Sequence, residues 1–342
     1  MSHNILMIGH FATERNMNDG QTVKTRNLYQ ELTDEGKKIE IIDTQNWKDR
    51  PSKFLKELIE KFFRNDKIIL VVASNGAKVL VPMLMLLSKF HQVKICYCAV
   101  GSWVDIRIKK NRILNYYCKK INLILVETEE LEEKLKTMGY GNVKKMYNFK
   151  RFNHMNKEQI QYQYGHFCTF SRVKEEKGIR DAINVINNIN NKRKRKIYLD
   201  IYGPIDEEFK EKFFDLMKKQ DKYIKYIGNV EPEESLNYIS QYYMLLFPTK
   251  YIKEGLPGTL LDAYYSGVPV LASNWNSATE FIMEHETGYI YEFNNIKDFE
   301  MKLEYILNNE SEIIEMKKKC LAFSKEFEPC KVIIPLVKFI EE

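Results

Sequence analysis

Short runs of consecutive apolar residues recur along the chain. Each is bounded by polar residues and followed by a longer stretch whose apolar positions repeat every three to four residues. The first kind of run predicts a strand and the second an amphipathic helix. In the first half, strands are predicted at Ile5–Gly9, Ile39–Asp43, Ile68–Ala73, Val93–Ala99, Leu123–Val126 and Val143–Met146. Helices are predicted over Thr22–Glu35, Ser52–Phe63, Val79–Phe90, Arg107–Lys119 and Glu129–Met138. Strands that are apolar throughout are covered on both faces, which is the habit of a parallel sheet sandwiched between helices.

Residues Tyr147–Tyr164 lose this periodicity and hold Asn148, Asn153 and Asn156, so a linker is expected over 151–164. A second series follows, with strands at Phe167–Phe170, Ile197–Tyr202, Ile224–Ile227, Met244–Phe247 and Val268–Ala272. Its helices are expected at Ile179–Asn188, Glu207–Lys219, Glu233–Tyr242, Gly258–Ser266, Ser277–Met283, Ile296–Asn308 and Ser311–Phe327. Pro329 and Pro335 are expected to break the tail, which is apolar again over Val332–Ile340. The fold class is α/β, with a Rossmann-like domain over 1–150 and another over 165–327. Open parallel sheets bind ligands beyond the carboxyl ends of their strands. The loops of interest are then His10–Gln21, Ser74–Lys78, Gly101–Ile106, Ser171–Lys177, Gly203–Ile205, Asn229–Pro232 and Tyr251–Thr259.

A chain of 342 residues, 44% apolar and 13% aromatic, has material for two cores. No run reaches the roughly 20 apolar residues of a membrane span. The longest apolar stretch, Val79–Leu87, suits a buried helix. The first residues lack a basic region before Ile5–Ile8, so no signal peptide is expected. Cys96, Cys98, Cys118, Cys168, Cys320 and Cys330 have no metal-ligand spacing and read as core thiols of a reducing, cytoplasmic compartment. The net charge of +6 is uneven: residues 1–150 hold 26 Lys and Arg against 17 Asp and Glu, a net +9, while the remainder carries −3. That asymmetry, with Lys109, Lys110, Arg112, Lys119 and Lys120 in one helical stretch, invites an anionic partner such as a membrane surface or a lipid-linked phosphate, or else marks a solvated face.

The densest chemistry lies at 254–262. Glu254 opens a loop of Gly255, Leu256, Pro257 and Gly258, a helix begins there, and Asp262 follows on it. Leu256, Pro257 and Gly258 shape the loop, and the helix start offers free N–H groups, here from Thr259 and Leu260, and the positive end of a dipole to an anion. The two carboxylates can accept from hydroxyl groups on either side. Upstream, Arg172 and Lys177 follow an apolar run, a fork and a point charge suited to phosphate. Read singly, each is as well explained by a surface acid or an ordinary basic loop. At the first strand, Asn18-Asp19-Gly20-Gln21-Thr22 allows close backbone approach at Gly20, and Thr22 is placed to cap the helix. His10 reads as a capping or satisfied group rather than an acceptor contact. Trp103, with Tyr97 and Tyr116, reads as core packing rather than an aromatic wall.

In order and spacing, Ser171-Arg172-Val173-Lys174-Glu175-Glu176-Lys177-Gly178, Leu199–Pro204, Tyr226–Val230, Leu245–Thr249, Glu254 to Asp262 and Glu286–Tyr289 together resemble the C-terminal half of family 4 glycosyltransferases of the GT-B fold, similar to bacterial capsule and lipopolysaccharide enzymes. The resemblance covers about 165–295 strongly and the first half loosely. It implies two Rossmann-like domains facing across a cleft, with the tail 328–342 packing back on the first. It implies that Arg172 and Lys177 hold a donor diphosphate, that Glu254 meets the donor sugar and that Asp262 meets the ribose. Gly20 and Gly203 would lie at the phosphates, and Asn229 and Val230 at the base. Asp262 stands where the family has Glu, one methylene shorter, and Cys98–Trp103 lacks the His that many members carry.

The reaction so implied is retaining transfer of a hexosyl or N-acetylhexosaminyl group from a nucleotide diphosphate-sugar, UDP-sugar favoured, without a metal. The acceptor would be a carbohydrate or lipid-linked saccharide, with no nucleic acid partner, and the enzyme would lie in the cytoplasm or peripherally on the membrane's inner face. The alternative is a non-catalytic nucleotide-binding partner subunit of a glycosyltransferase complex. A dehydrogenase lacks support, since no Gly-x-Gly-x-x-Gly follows Ile5–Ile8.

Overall fold

The computed structural model describes residues 4–14, 20–152, 162–231 and 234–342. Asn18, Asp19, Pro232, Glu233 and most of the expected linker lie outside them. The chain divides into unit 1, Met1–Arg151 with Phe327–Glu342, and unit 2, Phe152–Glu326.

Unit 1 holds β1 (Ile5–Gly9), β2 (Ile39–Asp43), β3 (Lys67–Ala73), β4 (Lys94–Val100), β5 (Leu123–Val126) and β6 (Val143–Lys145). They form one parallel sheet in the order β2-β1-β3-β4-β5-β6, with Ile5 registered between Ile39 and Lys67. Because strand side chains alternate, the uniformly apolar strands feed two cores. Leu6, Ile8, Ile68, Leu70 and Val72 face Leu80, Val81 and Leu84. On the other face, Ile5, Met7, Ile69, Val71, Cys96 and Cys98 pack with Leu28 and Leu32, and with Leu336, Phe339 and Ile340 of the tail. Each such buried side chain contributes about 1.5–3 kcal/mol of apolar burial.

Pro329 and Pro335 do not break the tail. They sit in the first turns of the helices Pro329–Val332 and Ile334–Glu341, where the missing N–H removes no helical bond. Lys67 Nζ donates to Phe339 O at 3.1 Å and fixes the second of these helices.

Unit 2 holds β7 (His166–Phe170), β8 (Tyr198–Tyr202), β9 (Ile224–Gly228), β10 (Met244–Phe247), β11 (Val270–Ser273) and β12 (Gly288–Tyr291). The order β12-β11-β10-β7-β8-β9 is again parallel throughout and reverses between β7 and β10. β12 was not expected, because its four residues open on a glycine and hold a single aliphatic side chain, Ile290.

Several expectations need correcting. The helix expected over Arg107–Lys119 is two, Val104–Lys110 and Arg112–Cys118, divided at Asn111, whose side chain accepts from Leu114 N at 2.9 Å and caps the second. The apolar stretch at Val79–Leu87 does form a helix, Ser74–Leu87, but Val79 and Leu86 are exposed. Trp103 and Tyr116 are also exposed, and only Tyr97 of that trio is core.

Candidate functional site

The strand-order reversal between β7 and β10 brings two loops side by side at the carboxyl end of the second sheet, the position where such sheets hold ligands. After β7 the chain makes a single turn of 3₁₀ helix, Glu175–Lys177, which ends at Gly178 with φ +69°. A side chain at Gly178 would put Cβ 1.8 Å from Pro248 O, so only glycine lets this loop lie against the one after β10. Lys250 N donates to Glu176 O at 2.8 Å and joins the loops again. Gly203, after β8, is held as closely: its φ is +123° and a Cβ would lie 2.0 Å from Ser171 O.

Within this frame Lys177 and Glu254 meet as an ion pair, with side chains 21% and 11% exposed. Glu254 Oε1 also accepts from Thr249 Oγ1 at 2.9 Å, and Lys177 lies 5.5 Å from the Phe247 ring centroid. The neighbouring cations are engaged elsewhere. Lys174 pairs with Glu176 at 3.2 Å and Arg180 with Glu175 at 3.2 Å, the latter hydrogen bond holding the Glu175 carboxyl below its ordinary pKa despite burial. Arg172 is exposed and has neither ion pair nor side-chain hydrogen bond among the described residues. The loop therefore presents one guanidinium and one half-covered ammonium.

Beside them begins the helix Gly258–Tyr265. Pro257 precedes it and no side chain caps it. The first N–H groups of a helix have no partner within it, which leaves Gly258 and Thr259 as donors. Leu260 N differs from expectation: it turns back to Pro257 O at 3.0 Å. Thr259 Oγ1 donates to Phe170 O and anchors the helix to the end of β7, while Leu256 is buried and packs. Gly255 lies between Glu254 and this buried Leu256.

Asp262 is 1% exposed, and its Oδ1 accepts from Ser235 Oγ at 3.0 Å. The carboxylate expected at a ribose thus has a protein hydroxyl on it. Asn229 is exposed and Val230 half-buried just past β9, two strands away from the reversal. In unit 1, Gly20 is the first residue of the helix Gly20–Asp34. Thr22 lies inside that helix, not ahead of it, and His10 Nδ1 is 2.7 Å from its Oγ1.

Sequence reasoning missed three groups. Thr249 orients Glu254, and its place at the end of the Leu245–Thr249 motif was the available signal. Ser235 gave none. Lys24 also gave none: it is buried, donating to Glu127 at 2.6 Å and to Ala99 O at 3.0 Å.

Among the described residues no helix is long and apolar enough to cross a membrane. The fold is that of GT-B glycosyltransferases: HepE from Anabaena, solved in complex with UDP and glucose, superposes with a TM-score of 0.74 at 10% identity over 99% of both chains. By sequence, 27% identity over 140 residues links the chain to an uncharacterized glycosyltransferase of Haemophilus influenzae, covering 34% of this chain and 39% of that one. The capsular polysaccharide biosynthesis glycosyltransferase CapM of Staphylococcus aureus matches at 23% over 188 residues, or 53% of this chain and 48% of CapM. The chain thus spans less than half the length of these curated relatives. Residues 150–326, just over half the chain and nearly all of unit 2, match the family described as glycosyl transferases group 1, and the protein belongs to that family.

Proposed function

We propose that the protein is a retaining glycosyltransferase of family 4 that moves a hexosyl or N-acetylhexosaminyl group from a nucleotide diphosphate-sugar, UDP-sugar favoured, to a carbohydrate acceptor. The observation that carries this reading is the convergence of Arg172, the Lys177–Glu254 pair and the uncapped helix start at Gly258 on one strand-order reversal. As the bond from sugar to diphosphate breaks, negative charge grows on the leaving group. Preorganised cations and N–H dipoles stabilise that charge without reorganising. Lys177 and the N–H groups of Gly258 and Thr259 would meet the phosphates and Arg172 would fork onto them, in place of a metal. Glu254, held by Thr249 and Lys177 before the donor arrives, would pass to the sugar hydroxyls. Asp262 would reach the ribose by letting go of Ser235 or through it.

The acceptor in this reading is a surface polysaccharide under assembly on a lipid carrier, handled from the cytoplasm. What supports it is similarity to CapM together with one face of unit 1. There Phe90, Ile113 and Tyr116 are 81%, 62% and 55% exposed. They stand among exposed Lys89, Lys109, Lys110, Arg112, Lys119 and Lys120, on or just past the ends of helices that pack together. Apolar groups ringed by cations suit an anionic bilayer surface.

The test is to incubate the chain with UDP- and GDP-sugars, follow release of nucleoside diphosphate, and read the anomeric configuration of any product by NMR. Turnover of one UDP-sugar with retention is expected. Binding of nucleotide with no turnover on any donor and acceptor would favour a partner subunit instead.

A further inference from the structure

We infer that unit 1 carries a saccharide-binding cavity of its own, lined by its own residues and built around Trp47. The cavity measures about 290 Å³ and lies where the chain leaves β1 and β2. That is the ligand side of the first sheet, but it is not the β1/β3 reversal where a doubly wound sheet ordinarily binds. Ligand cavities run from roughly 300 Å³ upward, so this one suits a sugar ring better than a whole nucleotide.

Its walls favour a neutral polar guest. Glu14, Asp43 and Glu57 are matched by Arg50, Lys53 and Lys61, so the formal charges cancel. An anion would find as many carboxylates as cations. Trp47 is half-buried, packed on the core and set against Phe54 at 5.4 Å between centroids, so its indole is already fixed as a flat apolar wall. Around it stand planar groups that both donate and accept. Glu14 accepts from Asn46 Nδ2 at 2.9 Å and from Arg50 at 3.2 Å, and Gln45 Oε1 accepts from Glu14 N at 2.9 Å. An aromatic face for the C–H side of a pyranose, with paired donors and acceptors for its hydroxyls, is the chemistry a sugar needs.

The backbone beneath is held in place. The Asp43 carboxylate accepts from Phe11 N, Thr13 N, Thr13 Oγ1 and Gln45 N at 2.8–3.0 Å. Burial works against the charge, but these bonds outweigh it and keep the Asp43 pKa below the ordinary value. Asn46 adopts φ +57°, a left-handed conformation that asparagine tolerates better than most side chains. A rigid cavity loses less on binding. As a holder of an acceptor saccharide, the cavity rests on the transfer reading; its ligand class does not.

The test uses the full chain labelled with 5-fluorotryptophan, which gives resonances for Trp47, Trp103 and Trp275. Trp47→Phe assigns the reporter. Should that variant misfold, Trp103→Phe and Trp275→Phe assign it by elimination. Maltose, cellobiose, lactose and di-N-acetylchitobiose are titrated without donor, with sodium phosphate as the anionic arm. A saturable shift of the Trp47 resonance by at least one disaccharide is expected, with Trp275 unmoved. Asn46→Gly keeps the left-handed backbone and removes the amide, and Glu14→Gln removes the charge. Each should weaken that binding about tenfold, the equivalent of one hydrogen bond to a charged or well-placed group. The inference is overturned if no disaccharide moves the resonance, if phosphate alone moves it, or if both variants bind as the wild type does. Because no donor is present, none of these outcomes bears on sugar transfer.

Discussion

Each unit places a Lys–Glu pair at the carboxyl edge of its parallel sheet, and the two pairs differ in what surrounds them. Lys24 and Glu127 in unit 1 are 4% and 8% exposed, and Lys24 spends a further donor on Ala99 O. Lys177 and Glu254 in unit 2 are 21% and 11% exposed, beside an unengaged Arg172 and an uncapped helix. The first pair is sealed, so its charges serve only each other. The second is half-covered and can be reached from solvent. One chemical pair is thus sealed in one unit and accessible in the other, and burial makes the difference.

The strongest way to break this contrast is Lys24→Met. It leaves Glu127 buried without its cation, and a loss of about 3–5 kcal/mol is expected from urea unfolding. Adding Glu127→Leu should restore most of that loss. A cost under about 1 kcal/mol would put the pair in the class of surface bridges.

A buried lysine without a carboxylate sharpens the point. Lys317 in unit 2 is fully buried, donates to Tyr242 O at 2.8 Å and Gly267 O at 3.4 Å, and lies 5.3 Å from the Tyr162 ring centroid. Burial pushes its pKa down to about 8. The unfolded chain holds this proton until about pH 10.4, so between pH 8 and 10 the unfolded state binds more protons and stability should rise with pH. The gain approaches about 3 kcal/mol across the window and vanishes below pH 8. Lys317→Met should flatten that rise in unfolding curves taken at stepped pH.

For the open pair, Lys177→Met and Arg172→Ala should each cost about 1 kcal/mol of stability or less. Each should lower transfer roughly tenfold or more, because a charge-assisted bond to phosphate is worth about 1.5–3 kcal/mol. Glu254→Gln should reduce transfer while leaving affinity for free UDP, read by calorimetry, unchanged. A large loss of UDP affinity with normal transfer would contradict its contact with the sugar. The smallest expected effect is that of a chelator: with Arg172, Lys177 and backbone N–H groups carrying the charge, EDTA should leave the transfer rate where it was.

The sequence made the parallel sheets legible because most inner strands are buried on both faces and read as largely apolar runs. It missed β12, a short edge strand, and joined the helices on either side of Asn111, where a cap rather than a loss of periodicity marks the break. Arg172, Lys177 and Glu254 were legible because they fall in loops after apolar strands, at the ligand edge, and within an ordered series of motifs. What escaped was pairing across distance. Nothing local to Ser235 announces Asp262, and nothing local to Lys24 announces Glu127, 103 residues on. Trp103 and Tyr116 escaped for the opposite reason: an aromatic residue near or within a helix reads as core packing, and only the fold shows which side it faces.

The return of Phe327–Glu342 to unit 1 sets an order of events during synthesis. Unit 2 occupies one uninterrupted stretch of chain and can close as soon as that stretch has emerged from the ribosome. Unit 1 emerges first yet lacks Val332, Ile333, Leu336, Phe339 and Ile340, which cover one face of its sheet. Until they arrive, Ile5, Met7, Ile69 and Val71 have only part of their cover, a state open to chaperones or to self-association. The domain translated first is therefore completed last, and a ribosome that stalls within unit 2 would leave a nascent chain with its first sheet half dressed.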